Sequence, residues 1–153
     1  MPRIRITKKF DFEMAHALWN YDGACRNIHG HSYKLFVTVR GEPVADERDV
    51  KYGMVMDFGD LKRIVKEKIV DRFDHSVVVS DRAPHDFLGH VEQMFEKYEL
   101  TPFQPTSENL LLYFSEILQE ALPPQAELVA LRLYETETSY AEWLKEDNDQ
   151  TDG

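Results

Sequence analysis

The chain is poor in cysteine and in long apolar runs. Its single cysteine, Cys25, among 153 residues excludes an intramolecular disulfide, so we expect a free thiol or thiolate. No apolar stretch approaches the length of a signal-peptide core or of a membrane span. The sequence therefore predicts a soluble, cytoplasmic protein without a membrane partner.

Basic residues are also in short supply. The chain has 18 Lys and Arg against 28 Asp and Glu, which gives a formal net charge of -10. Nucleic acids and anionic membranes are bound mainly through Lys and Arg that neutralise phosphates. The charge therefore disfavours nucleic acid as a partner, although a small anionic substrate can still be held by a local basic patch.

The remaining composition, with 42% hydrophobic and 12% aromatic residues, suits one globular domain with a proper core. There is no internal repeat and no interdomain linker. We therefore assign residues 1–145 to a single domain. Residues 146–153 are acidic and free of apolar side chains, so we expect a disordered tail there.

Hydrophobic periodicity predicts two strands at each end of the chain, at 3–14, 32–41, 127–135 and 139–144. Two main helices are predicted between them. The first spans 58–73 with Asp57 as its N-cap, and the second begins after Thr106 and ends before Pro123-Pro124. A short helix is also expected within 86–98. This ββααββ order indicates an α+β domain with both main helices on one face of an antiparallel sheet.

Three histidines, His16, His29 and His31, lie close together in the N-terminal part of the sequence. Imidazole is the preferred nitrogen ligand of zinc, and three protein ligands leave a fourth position open, as in catalytic sites. If a strand begins at His29, its side chain and that of His31 project from the same face, and His16 can come alongside by hairpin pairing. A lone histidine is more often a surface or core residue, but the trio together with Cys25 predicts a zinc site.

Four further candidate residues also have ordinary structural explanations. A single cysteine is commonly a small buried hydrophobe, yet a nearby metal or imidazolium would lower the pKa of Cys25 toward the thiolate form. Asp74-His75 is a common pair at a helix end. Glu135 is by default a surface residue at the end of a strand.

Taken in order, six motifs resemble the 6-pyruvoyl-tetrahydropterin synthase family over residues 5–145. They are Phe12-Glu13-Met14-Ala15-His16, Cys25-x-x-x-His29-Gly30-His31-x-Tyr33, Asp57-Phe58, Asp74-His75, Pro105-Thr106-Ser107-Glu108-Asn109 and Tyr134-Glu135-Thr136. The three-residue gap between Cys25 and His29 is similar to that of the bacterial 6-carboxy-5,6,7,8-tetrahydropterin synthase branch, which belongs to queuosine biosynthesis.

The resemblance implies the tunnelling fold (T-fold), assembled as a homohexamer of two stacked trimers with active sites at subunit interfaces. It also implies a lyase that converts 7,8-dihydroneopterin triphosphate into 6-carboxy-5,6,7,8-tetrahydropterin, acetaldehyde and triphosphate. The site residues that it implies are zinc ligands at His16, His29 and His31, Cys25 as base, His75 and Asp74 of a neighbouring subunit as its relay, Glu135 as the pterin anchor, and Glu108 and Thr106 as further pterin contacts.

Two other functions stay open. One is the sister reaction, in which the pterin keeps its three-carbon side chain as a pyruvoyl group. The other is a zinc-binding or pterin-binding module without catalysis. A cysteine hydrolase built on Cys25 and His75 is a weaker interpretation because it gives the three histidines no role. The resemblance does not cover the long segment 82–103, where we expect His85 and His90 to face solvent.

Overall fold

The computed structural model describes residues 2–20 and 27–149, which form one six-stranded sheet with helices packed against it. The strands are β1 (Ile4–His16), β2 (His29–Gly41), β3 (Ser76–Ser80), β4 (Tyr98–Thr101), β5 (Glu127–Thr136) and β6 (Ser139–Leu144). The helices are α1 (Phe58–Val65), α2 (Asp71–Phe73), α3 (His85–Met94), α4 (Ser107–Ala121) and α5 (Lys145–Asn148). A π-helical turn, Lys66–Val70, joins α1 to α2.

The strand order across the sheet is β4-β3-β1-β2-β5-β6. The four predicted strands pair antiparallel, β1 with β2, β2 with β5 and β5 with β6. The expectation of a wholly antiparallel sheet is corrected by β3 and β4, because β3 runs parallel to β1 and β4 parallel to β3. The α+β class is confirmed, and the ββααββ order describes its main elements with β3, α3 and β4 inserted between the two main helices.

Alternation along the strands separates a buried face from a polar one. In β2, Tyr33, Leu35, Val37 and Val39 are fully buried, while the residues between them are partly exposed. The buried faces of β1, β2 and β5 form one core with the apolar side chains of α1, the π-turn and α4. Both main helices therefore cover the same face of the sheet, as the sequence predicts.

The capping residues of the two main helices also agree with the sequence. The Asp57 carboxylate accepts a hydrogen bond from Gly59 N at 2.6 Å, and the Thr106 hydroxyl accepts one from Asn109 N at 3.1 Å. The apolar row of the first helical segment, Leu61, Val65, Ile69 and Phe73, is fully buried. The row stays on one face through the π-turn.

Two boundaries differ from the expectation. The helix predicted within 86–98 is α3, which ends at Met94, so that β4 begins at Tyr98. The start of the acidic tail forms α5, where Lys145 Nζ donates to Asp149 Oδ1 at 2.6 Å. His85 and His90 are exposed, as expected. Among the described residues, no helix has both the length and the apolarity needed to cross a bilayer.

Candidate metal centre and active site

The pairing of β1 with β2 brings the three histidines together. His16 lies directly opposite His29 in the register, and His31 follows two residues later on the same face of β2. The ring centroids of His16 and His29 are 4.5 Å apart, and those of His29 and His31 are 4.8 Å apart. The hairpin predicted from the sequence is confirmed, and it converts a pattern of three histidines into one cluster.

Backbone carbonyl groups fix the orientation of two of these rings. His16 Nδ1 lies 2.7 Å from Pro105 O, and His29 Nδ1 lies 2.8 Å from Asn27 O. A carbonyl oxygen only accepts, so each Nδ1 carries a proton, which leaves Nε2 as the ring atom that can bind a metal ion. Carbonyl acceptors of this kind are the usual outer support of metal-binding histidines.

The two Nε2 atoms then face each other at 2.9 Å. Two lone pairs at this separation repel one another unless a proton or a cation lies between them. His31 Nε2 is buried and has no aligned hydrogen-bond partner within the described part of the chain. Three imidazole nitrogens that come this close together therefore fit a metal ion.

Glu135, at the end of β5, supplies a fourth donor atom. Its Oε1 lies 3.3 Å from His16 Nε2 and 3.1 Å from His31 Nε2. One donor atom from each of the four residues lies within 4.8 Å of all the others. Three imidazoles and a carboxylate are a donor set typical of zinc, and a carboxylate is a ligand that substrate can displace.

The protonation states of the cluster suit metal binding. The pKa of Glu135 is below its ordinary value, chiefly through contact with His16, with the charges of His31 and His29 adding to the effect and burial opposing it. Burial is the main cause that lowers the pKa of His31, against the opposing charge of Glu135. An ionised carboxylate and a neutral imidazole are the forms that bind a metal ion.

Asp74 and His75 lie at the turn between α2 and β3. Asp74 Oδ1 lies 3.0 Å from His75 Nδ1 and accepts a hydrogen bond from Glu13 N at 2.8 Å. His75 has a φ of 60°, in the left-handed region, and its backbone N donates to Glu13 O. A conformation that side chains rarely adopt is held here by contacts with β1.

His75 borders a cavity next to the β1–β2 hairpin. This cavity of about 350 Å³ is lined by Glu13, Met14, Ala15, Gly30, His31, Ser32, His75, Ser76 and Val77. Most of the hairpin residues in this lining lie on the exposed face of the hairpin, whereas His16, His29 and His31 project from the opposite, core-facing side. Within one chain, His75 and the metal cluster therefore lie on opposite faces of the sheet. That the pair acts from a neighbouring subunit stays a prediction.

The other predicted site residues have different outcomes. Cys25 lies outside the described residues. The Thr106 hydroxyl is engaged as the cap of α4, and Glu108 is exposed in the first turn of that helix. Pro105, whose carbonyl group orients His16, belongs to a motif noted in the sequence but is not among the predicted site residues. Proline has no N–H, but its carbonyl group still accepts, and only the fold shows which ring it meets.

Comparison with known proteins agrees with this geometry. The model of the 6-pyruvoyl tetrahydropterin synthase family matches residues 5–146. The chain belongs to this family. It is 35% identical over 141 residues to the 6-carboxy-5,6,7,8-tetrahydropterin synthase of Haemophilus influenzae, which covers 91% of this chain and 97% of that protein. It is 33% identical to the enzyme of the same name from Aquifex aeolicus, over 92% and 98% of the two chains.

Solved structures give the same result for the fold. An uncharacterized protein from Wolinella succinogenes superposes with a TM-score of 0.78 at 22% identity, over 94% of this chain and 99% of that one. The 6-pyruvoyl tetrahydropterin synthase of Caenorhabditis elegans superposes with a TM-score of 0.68 at 26% identity, over 94% and 96%. The family resemblance and the T-fold that it implies are confirmed.

Proposed function

We propose that this chain is a zinc-dependent 6-carboxy-5,6,7,8-tetrahydropterin synthase of queuosine biosynthesis. Its substrates would be 7,8-dihydroneopterin triphosphate and one water molecule, and its products 6-carboxy-5,6,7,8-tetrahydropterin, acetaldehyde and triphosphate. The observation that carries the proposal is the convergence of His16, His29, His31 and Glu135 on one point. Relatives that bear this enzyme name over nearly the whole chain support the choice of reaction.

The metal would be held by His16, His29 and His31. When bound, zinc would polarise the side-chain hydroxyl groups of the substrate and stabilise negative charge that develops on their oxygens. The outer support for this is already built, because the carbonyl groups of Pro105 and Asn27 hold two of the rings in the metal-binding tautomer.

Glu135 would join the metal cluster to the pterin. Its Oε1 faces the histidines, and a carboxylate has a second oxygen that can accept from the paired N–H donors of a pterin ring. A pterin held at Glu135 therefore has its side chain beside the metal. Glu108 and Thr106 remain candidates for further pterin contacts from the start of α4.

Cys25 would act as the base that removes protons from the substrate side chain. A thiolate is favoured by a neighbouring metal or imidazolium, which lowers the thiol pKa. His75, contributed by a neighbouring subunit, is the group that would orient and exchange protons with Cys25, and Asp74 would fix the tautomer of His75 through the contact at Nδ1.

Activity measurements on three proteins test this proposal. Wild-type protein loaded with zinc should consume 7,8-dihydroneopterin triphosphate. Cys25→Ala should keep its fold and its zinc but lose turnover. His75→Ala should keep its zinc content, and its rate should fall about a hundredfold or more, which is the usual range for loss of a proton-transfer group. Full activity of Cys25→Ala would reject Cys25 as the base, and an inactive wild-type protein would reject the proposed reaction.

The sister reaction, which yields the pyruvoyl product, is the second candidate. It is favoured by the structural likeness to the 6-pyruvoyl tetrahydropterin synthase of C. elegans. A relative from Pongo abelii named 6-pyruvoyl tetrahydrobiopterin synthase is 31% identical over 88% of this chain. The two reactions would use the same metal and relay, so they differ in product rather than in site.

A further inference from the structure

The segment between β3 and α4 contacts the turn that carries Asp74 and His75. Its strand β4 runs parallel to β3, and Val77 N donates to Lys97 O at 3.2 Å just before β4 begins. Lys97 is thereby placed next to the chain that leaves His75. His75 and Lys97 also line one cavity of about 580 Å³ together with Val77, Phe95 and Glu96.

The Lys97 side chain reaches the end of the preceding helix. Its Nζ donates to Asp71 O at 2.6 Å and to Asp74 O at 2.5 Å. The last carbonyl groups of a helix lack partners within it and carry partial negative charge, so an ammonium group there makes favourable, charge-assisted hydrogen bonds. The two bonds span the chain immediately before His75.

A second contact joins β4 to the same helix end. Arg72 Nε lies 3.1 Å from Glu99 Oε1, and an Arg72 guanidinium nitrogen donates to the Tyr113 hydroxyl at 2.7 Å. Residues 71–77 are thus attached to 97–99 at three places: by the Lys97 side chain, by the Lys97 carbonyl group and by Glu99. The left-handed conformation of His75 lies between these attachments.

We propose that Lys97 is a positioning residue for His75. By holding the carbonyl groups of Asp71 and Asp74, it fixes the backbone that carries the His75 ring. The role in the reaction rests on the proposed function, in which His75 exchanges protons with Cys25. A base displaced by about an ångström loses much of its rate, so the position of this turn affects turnover without changing metal or pterin binding.

Three variants of the whole protein, loaded with zinc, test the proposal. Lys97→Met removes the ammonium group and keeps the length of the stem, whereas Lys97→Arg restores a cationic donor. Lys62→Met, at an exposed lysine of α1, controls for the loss of one surface charge. Each protein is measured for amide hydrogen exchange in the peptide covering 72–78, for kcat and KM, for zinc content and for Tm.

For Lys97→Met we expect exchange in 72–78 to rise about tenfold, because the bonds that hold the turn closed are lost. We expect kcat to fall about tenfold to a hundredfold with KM and zinc content unchanged. Lys97→Arg should recover most of both effects, and Lys62→Met should match wild type.

Unchanged exchange in Lys97→Met would overturn the proposal, because the turn would then be held without Lys97. Faster exchange with unchanged kcat would also overturn it, because the turn would be loosened without displacing a working His75. The exchange measurement uses no substrate. An inactive wild-type protein therefore counts against the proposed function, and exchange still decides whether Lys97 holds the turn.

Discussion

His16 is a buried polar residue whose two ring nitrogens both have partners. It is 1% exposed, and both ring nitrogens are in use, Nδ1 toward Pro105 O and Nε2 toward His29 and Glu135. A polar ring without such partners would destabilise a core position by about 1 to 3 kcal/mol. The contacts of both ring nitrogens within the site therefore allow a histidine at this buried position.

At the metal site, we expect His31→Ala to lower zinc affinity by about a hundredfold or more, because only two imidazoles remain. Glu135→Gln should keep close to one zinc per chain, with a smaller loss of affinity, because the three histidines stay in place. Zinc is measured by elemental analysis after gel filtration and by competition with a chelator. Full occupancy in His31→Ala or in a matched His29→Ala protein would contradict the three-histidine assignment.

Asp74 gives a prediction for acidic pH. Partial burial tends to raise the pKa of Asp74, but hydrogen bonds from Glu13 N and His75 and the charge of Lys97 outweigh it, so the pKa lies below the ordinary value. A carboxylate whose pKa is depressed in the folded state stabilises the fold at pH values above the ordinary aspartate pKa. This stabilisation is lost as the pH falls through the lower pKa of the folded state.

We therefore expect wild-type protein to exceed Asp74→Asn in free energy of unfolding near pH 6. The difference should shrink as the pH falls below about 4, the ordinary aspartate range. Urea denaturation measures this difference in free energy of unfolding. Both proteins are unfolded in the presence of a chelator, so that they are compared without bound metal. A difference that stays constant from pH 6 to pH 3 would show that ionisation of Asp74 does not stabilise the fold.

At the scale of single residues, the sequence predicts that the three histidines lie together, because their spacing matches the geometry of paired strands. His29 and His31 share a face of β2, and a hairpin pairs His16 with His29. Glu135 as a neighbour of the histidines could not be predicted. Its distance from them depends on the register between β2 and β5, where Lys34 pairs with Tyr134 across more than ninety residues of intervening chain.

Among the elements, those with regular periodicity were predicted best. The hairpin of β5 and β6 and the helix α4 lie within about two residues of their expected bounds. The π-turn Lys66–Val70 was not foreseen, because the apolar row at every fourth residue is also what an unbroken α-helix would show. A π-turn inserts a wider hydrogen-bonded loop without removing any residue from the buried face.

The strands β3 and β4 explain the difference in topology. β3 is a short run of five residues, and β4 has four, with only Thr101 buried. Short segments have weak periodicity, and parallel pairing joins residues that are far apart in sequence. The contact of Arg72 with Glu99, which joins β4 to the helix before β3, likewise lies outside any local pattern.

The start of α4 allows a test of the role of Thr106. Its hydroxyl caps the helix by accepting from Asn109 N, so Thr106→Ala should lower the free energy of unfolding by about 1 kcal/mol. Thr106→Ser keeps the hydroxyl and should stay close to wild type. Denaturant titration measures the stability. If Thr106→Ala were as stable as wild type and instead raised KM, the hydroxyl would serve the substrate and not the helix.

At the scale of the whole molecule, the sheet ends in two outer strands, β4 and β6. Outer strands present unpaired backbone groups, and closed assemblies pair them. The family resemblance implies a homohexamer, which could pair these strands between subunits, so we predict that light scattering gives six times the 17.9 kDa chain mass. A monomer that is stable and fully active would contradict active sites shared between subunits.

The central claim is the reaction of the carboxy branch, and the most direct test is to count its products. Zinc-loaded protein is incubated with 7,8-dihydroneopterin triphosphate, and acetaldehyde is trapped and measured against the triphosphate released. Our proposal predicts near-equal amounts of the two, together with 6-carboxy-5,6,7,8-tetrahydropterin. Triphosphate released without acetaldehyde, with a pterin that retains all three side-chain carbons, would contradict it and assign the protein to the pyruvoyl branch.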